Sequence, residues 1–161
     1  MTVDEVTPSV ETGAVLVGAQ FADAFRVNID GTDLDARRAA ERLLARNPVW
    51  IDALLRLRNA LVRPFGLKTS GLAEPASGGM IGIFPVISET PERVVAGFDD
   101  RHLDFRVVVD VEPSRPGHQV TATTLVRTHN LPGRAYLAVV LPFHRLIVRS
   151  LLRRAFRPST S

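Results

Sequence analysis

The chain has 161 residues, of which 45% are apolar, 23% charged and 6% aromatic, enough for one domain that needs no metal or disulfide staple. It contains no Cys and only four scattered His, which excludes disulfides, thiolate chemistry and a structural zinc site; no run approaches roughly 18 continuous apolar residues, so no membrane span is expected. The net charge of +3 is lopsided, with seven acids and one Arg in residues 1–36 against six Arg and no acid in residues 132–161, and its small total points away from a nucleic-acid partner.

Residues 1–18 read as an N-terminal arm lacking the basic start and apolar core of a secretory signal, and a cytoplasmic protein is expected. Residues 19–157 read as a single domain and 158–161 as a disordered tail. Ala24–Ile29 is the first strand, closed by Asp30-Gly31. Thr32 with Asp35 approximates a capping box and opens a helix over Leu34–Arg46, rich in good helix formers. Asn47-Pro48 caps a second helix, in which Trp50, Leu54, Leu57, Leu61 and Phe65 recur at helical spacing. Lys68–Gly79, interrupted by Gly71, Pro75, Gly78 and Gly79, is a loop suited to act as a lid.

From Met80 the period shortens to two. Met80–Ile87 is a strand whose Pro85 marks an edge or a bulge, and Glu92–Phe98 is the next. The strongest signal runs from His102 to Glu112: Leu103, Phe105, Val107, Val109 and Val111 face one way, and His102, Asp104, Arg106, Asp110 and Glu112 the other. After a turn at Pro113–Gly117, Gln119–His129 returns. Pairing Val111 with Val120 sets Val109 against Ala122, Phe105 against Val126, Asp104 against Arg127 and His102 against His129. Asn130–Gly133 ends the sheet. A long helix over Arg134–Phe156 follows, with Tyr136, Val139, Val140, Phe143, Leu146, Ile147 and Leu151 on its apolar side and Arg145, Arg149, Arg153 and Arg157 on another.

This order lacks the strand–helix alternation of a doubly wound or barrel α/β fold. An antiparallel sheet with one apolar face needs a cover, the C-terminal helix supplies it, and a cavity between the two is a natural place for an apolar ligand. The segments Asp99–Arg106, Thr124–Asn130, Gly133–Tyr136 and Pro142–Arg149 resemble a bacterial family designated domain of unknown function 2867 (DUF2867), within the START-like (SRPBCC, helix-grip) superfamily. The resemblance runs from about Ala24 to Phe156. It implies an α+β helix-grip fold, a curved antiparallel sheet wrapped around a long C-terminal helix. Relatives in the wider superfamily include lipid and hormone carriers, polyketide aromatases and cyclases, and stress-response proteins, so the resemblance implies a pocket and not a particular reaction.

His102, Asp104, Arg127 and His129 form the most suggestive cluster. In the proposed register Asp104 meets Arg127 and two imidazoles lie side by side, a set able to abstract a proton and steady the anion. The same residues also read as a cross-strand ion pair on a solvated sheet face or as a dimer contact, and more weakly as a metal site; no metal or cofactor is expected. The candidate ligand-binding residues are Trp50, Phe65, Phe84, Phe105, Tyr136, Phe143 and His144, with His144 either a polar anchor or a histidine satisfied within the helix. No P-loop, HExxH, GxSxG or GxGxxG string occurs. The Arg145–Arg157 stripe reads as the solvated side of a covering helix bridged to the acidic N-terminal region, or as a contact for phosphate or an anionic membrane. Non-covalent binding of a small apolar or aromatic molecule is the leading expectation. The alternatives are a cofactor-free cyclase, isomerase or dehydratase using a cavity His with Asp or Arg, and a structural or regulatory interaction module; a homodimer through the sheet is compatible with each.

Overall fold

Alternating apolar residues, many of them β-branched, favour a pleated surface with one face buried, and five of the seven strands lie in the stretch from Met80 to Thr128 where that period dominates. The computed structural model describes residues 2–31, 33–44, 52–53, 56, 60, 79–82 and 84–157. Its strands are β1 (Val3–Val6), β2 (Phe21–Ile29), β3 (Met80–Ile81), β4 (Phe84–Glu89), β5 (Arg93–Asp99), β6 (Leu103–Pro113) and β7 (His118–Thr128); its helices are α1 (Thr12–Val15), α2 (Ala36–Leu44) and α3 (Leu131–Ala155). Every strand pair is antiparallel, and the seven form one curved sheet in the order β1-β2-β7-β6-β5-β4-β3.

The β6–β7 register is the expected one: Val111 opposes Val120, Val109 opposes Ala122, Phe105 opposes Val126 and Asp104 opposes Arg127. A slip of one residue would turn the valines outward, so the apolar alternation fixes the pairing. Pro85 splits the expected Met80–Ile87 strand into β3 and β4, and the register shifts between Val86 and Ser88. Gly97 has φ +153°, and a Cβ there would lie 2.0 Å from the Phe105 carbonyl oxygen, so only glycine lets β5 approach β6 at this point.

One face of the sheet packs on the helices. Phe25, Val27, Val94, Ala96, Val107, Val109, Val120 and Ala122 form a core with the alanines and leucines of α2 and with Val148, Leu152 and Phe156 of and just after α3. The other face is not simply solvated. Val10 packs with Val95 and Val108, so the connection from β1 to β2 crosses beneath β2 and β7 as a strap. It is pinned where the Gln20 amide donates to the Val126 carbonyl and Gln20 Oε1 accepts from the Thr128 hydroxyl at 2.6 Å. Under this strap Thr123 and Leu125 are buried. Within the N-terminal arm, Val3–Val6 is an edge strand paired with β2.

Helix starts follow local chemistry. The Asp35 side chain accepts from the Arg38 amide at 2.7 Å at the start of α2; Thr32, the other half of the expected capping box, lies outside the described residues. Asn130 caps α3 by accepting from the Gly133 amide at 3.0 Å, which starts the helix at Leu131 and not at Arg134. Gly133 packs so closely on the preceding loop that a Cβ would sit 2.1 Å from the His102 carbonyl oxygen. The expected helix over Asn47–Gly66, most of the Lys68–Gly79 loop and the tail from Pro158 lie outside the described residues, apart from isolated helical positions.

α3 is rotated relative to its expected apolar side. Val139, Phe143 and Leu146 are 44%, 58% and 67% exposed, while Leu137, Val140, Leu141, His144, Ile147, Val148 and Leu151 turn to the sheet. From Ala135 to Val148 the helix is apolar on almost every side, so periodicity alone does not set its rotation. α3 is also long and apolar enough to cross a membrane by length and composition, which the count of continuous apolar residues missed because single Arg residues interrupt the run.

Candidate functional site

The inner face of the sheet and α3 do not close completely. Between them lies a cavity of about 170 Å³. Its aromatic wall is a three-ring cluster from β4, β5 and β6: Phe84 and Phe98 stack with centroids 6.2 Å apart, and Phe105 tilts against them at 5.5 and 5.7 Å. Leu43 and Leu44 of α2 contribute to one side, and α3 covers the opening with Tyr136, Leu137, Val140, Leu141 and His144. Among the described lining residues, Thr124, Tyr136 and His144 alone carry a polar side-chain atom.

His144 does not stand alone. Its Nε2 lies 2.9 Å from Asp23 Oδ2 and 3.1 Å from Asp23 Oδ1, with side-chain exposures of 14% and 9% for the two residues. Asp23 is on the inner face of β2, between Phe21 and Phe25, directly across from Thr124 on β7. A carboxylate oxygen only accepts, so the shared proton sits on Nε2. The hydrogen bond goes to Oδ1, and Oδ2, though close, has no hydrogen-bond partner among the described residues, so this imidazole is the group that compensates a buried carboxylate. Phe21 holds the ring from the side, edge-to-face at 5.6 Å. With Nε2 engaged, Nδ1 makes no hydrogen bond among the described residues, and His144 is one of the residues lining the cavity.

Phe84, Phe105, Tyr136 and His144 thus line the cavity as expected from their pattern. Phe143 does not: it is exposed to solvent. Trp50 and Phe65 lie outside the described residues. The His102, Asp104, Arg127 and His129 cluster is not part of the cavity lining; two of its members pair with each other and the other two take partners outside it. Asp104 binds His129 Nε2 at 2.9 Å, Arg127 donates to the Val17 carbonyl at 3.2 Å in the strap, and His102 is buried with Nδ1 3.0 Å from Asn130 Oδ1. Asn130 Oδ1 already accepts from the Gly133 amide, so it accepts here too and His102 carries its proton on Nδ1. The expected Asp104–Arg127 ion pair is therefore not formed among the described residues, because Asp104 and Arg127 take other partners, and the two imidazoles bond elsewhere, with His102 Nε2 left buried and without a partner among the described residues. The same face carries Arg106 against Asp99 at 2.7 Å and Arg93 against Asp110. The Arg93 guanidinium is held above its ordinary value by its hydrogen bond to Asp110, opposed by burial and reinforced by the charges of Asp110 and Glu112. Among the described residues no three His, Asp or Glu converge as metal ligands.

Asp23 and Phe21 escaped the sequence reading, which began the strand at Ala24. The signal was present: in Phe21-Ala-Asp-Ala-Phe-Arg-Val27 the two-residue period puts an acid on the same face as Phe25 and Val27. An acid at an inner-face position demands a buried partner, and the C-terminal helix supplies it.

These features define an α+β domain with an apolar cavity beneath one long helix and a single His–Asp pair beside it. Residues 15–151 match the family described as Protein of unknown function (DUF2867), and the chain belongs to that family. Among solved structures it is similar to a Rhodobacter sphaeroides protein, with 18% identity, a TM-score of 0.44 and 96% of each chain covered. It is also similar to a Mesorhizobium loti protein, with 14% identity, a TM-score of 0.37, and 83% of this chain and 98% of that one covered. No curated protein matches it.

Proposed function

We propose that the protein binds a small apolar or aromatic molecule non-covalently between sheet and helix, in a fold of the helix-grip, START-like kind. The seven-stranded curved sheet packed on a long C-terminal helix supports the fold assignment. The observation that carries the function is the cavity itself, about 170 Å³ and almost entirely apolar. An apolar void of roughly 150 Å³ stays dry and takes up benzene in an engineered protein, so this one suits a single ring with small substituents. Native mass spectrometry against the denatured sample tests the reading: a small-molecule adduct that leaves on unfolding is expected, or, for an empty protein, a rise in melting temperature with toluene. Ala122→Phe, which fills the cavity from β7, should abolish the toluene effect while the protein stays folded. No adduct together with no response to toluene would count against it.

The His144–Asp23 pair favours one second reading, a cofactor-free isomerase, dehydratase or cyclase. An imidazole oriented by a carboxylate and facing an apolar space is the arrangement of a general base. Recovery of the bound molecule after incubation separates the two: a carrier returns it unchanged and an enzyme returns it altered.

A further inference from the structure

We infer that the cavity selects a single-ring aromatic bearing one acidic hydroxyl, a phenol-class ligand, by hydrogen bonding it to His144 Nδ1; this rests on the cavity reading above. The geometry fixes the tautomer. Asp23 can only accept, so the imidazole donates from Nε2, and in the neutral imidazole Nδ1 is then an acceptor. The cavity therefore offers its occupant an acceptor at the His144 position, and a ligand group placed there must bring a proton.

The surroundings narrow the class further. A carboxylate brings only acceptors, which an acceptor Nδ1 cannot pair, and a carboxylate or an ammonium carries a charge into an almost wholly apolar lining at a large desolvation cost. One hydroxyl leaves least unmatched, and a phenolic hydroxyl is a stronger donor than an aliphatic one. The ring belongs against the Phe84, Phe98 and Phe105 cluster, where aromatic pairs gain beyond simple burial. The volume admits one ring. Asp23 acts through His144 as a positioning residue.

Calorimetric titration of the full chain with phenol and with toluene, which differ by hydroxyl against methyl, tests this. In a purely apolar cavity phenol binds far more weakly than toluene because its hydroxyl is stranded. Here phenol is expected to bind at least as tightly as toluene. His144→Leu should weaken phenol about tenfold or more, the size of one hydrogen bond to a buried polar group, and leave toluene unchanged. His144→Asn, whose amide sits where Nδ1 was, should restore part of the phenol affinity. If His144→Leu does not fold, the Asp23→Asn, His144→Leu pair removes the stranded carboxylate and serves in its place. Toluene binding with phenol more than tenfold weaker in the wild type overturns the anchor and leaves the cavity intact. So does equal weakening of both ligands in the Leu variant. Binding of neither ligand overturns the cavity reading and the anchor with it.

Discussion

The two faces of one sheet teach different lessons about where chemistry-bearing residues act. The outer face holds most of the ionisable side chains that stand out in the sequence, yet there Asp104 binds His129, Arg106 binds Asp99, Arg93 binds Asp110 and Arg127 binds the strap. Those groups satisfy one another and tie the sheet to its N-terminal strap. The inner face is mostly apolar: its edge acids Glu5 and Glu89 pair with Arg145 and Arg37 of the covering helices, and Asp23 pairs with one imidazole beside unfilled space. A polar group can address a ligand when it borders unfilled space: His102 Nε2 is buried without a partner among the described residues but lies outside the cavity lining, whereas His144 is part of that lining.

The contrast breaks most sharply at His144. His144→Leu strips the buried Asp23 carboxylate of its hydrogen-bond donor, a loss of about 3 kcal/mol or more, read by urea unfolding; a second change, Asp23→Asn, should recover much of it. A loss below about 1 kcal/mol would mean that the pair is ordinary surface chemistry. On the outer face the strap makes Leu125 a core residue, fully buried, and Leu125→Ala should cost about 2–5 kcal/mol with toluene binding unaffected. An effect within about 0.5 kcal/mol would show that the strap does not cover that face.

Asn130→Ala tests the joint between the faces. It removes the α3 cap and the partner of buried His102, and should cost about 1–2 kcal/mol, lowering cavity affinity as the helix start loosens. The smallest effect belongs to Asp110→Asn. Arg93 is 42% exposed, so solvent screens the pair and about 0.2–1 kcal/mol is expected, shrinking at high salt. Because Arg93 has a raised value, its share of that stability is present below the ordinary arginine range and is lost only as pH rises beyond it. Unfolding curves across neutral and mildly alkaline pH should show no step from this pair.

The sheet was legible because its signal is redundant. Five alternating apolar residues from Leu103 to Val111 and their counterparts on β7 admit one register, and it is the register observed. α3 was legible in extent but not in rotation. Val139 and Phe143 are as apolar as Val140 and Ile147, and the side that meets the sheet is decided by the Asn130 cap and the close approach of Gly133 to His102, which fix the helix's entry. The site was half legible: His144 lay in an apolar stretch that suggested the cavity, whereas Asp23 is 121 residues away in sequence and only the β2–β7 pairing brings it beneath the helix. The outer cluster was read correctly in its pairing of strands and wrongly in its pairing of side chains, because the strap and Asn130 competed for groups that cross-strand logic had assigned to each other.

The central claim is that the inner face encloses apolar space available to a ligand, and xenon-pressurised crystals test it most directly. Xenon occupies dry apolar cavities, and the account predicts a bound atom between the Phe105 ring and α3, close to His144. A lattice that takes up xenon elsewhere while Tyr136, Leu137 and Leu141 pack directly onto Phe98 and Phe105 would contradict it.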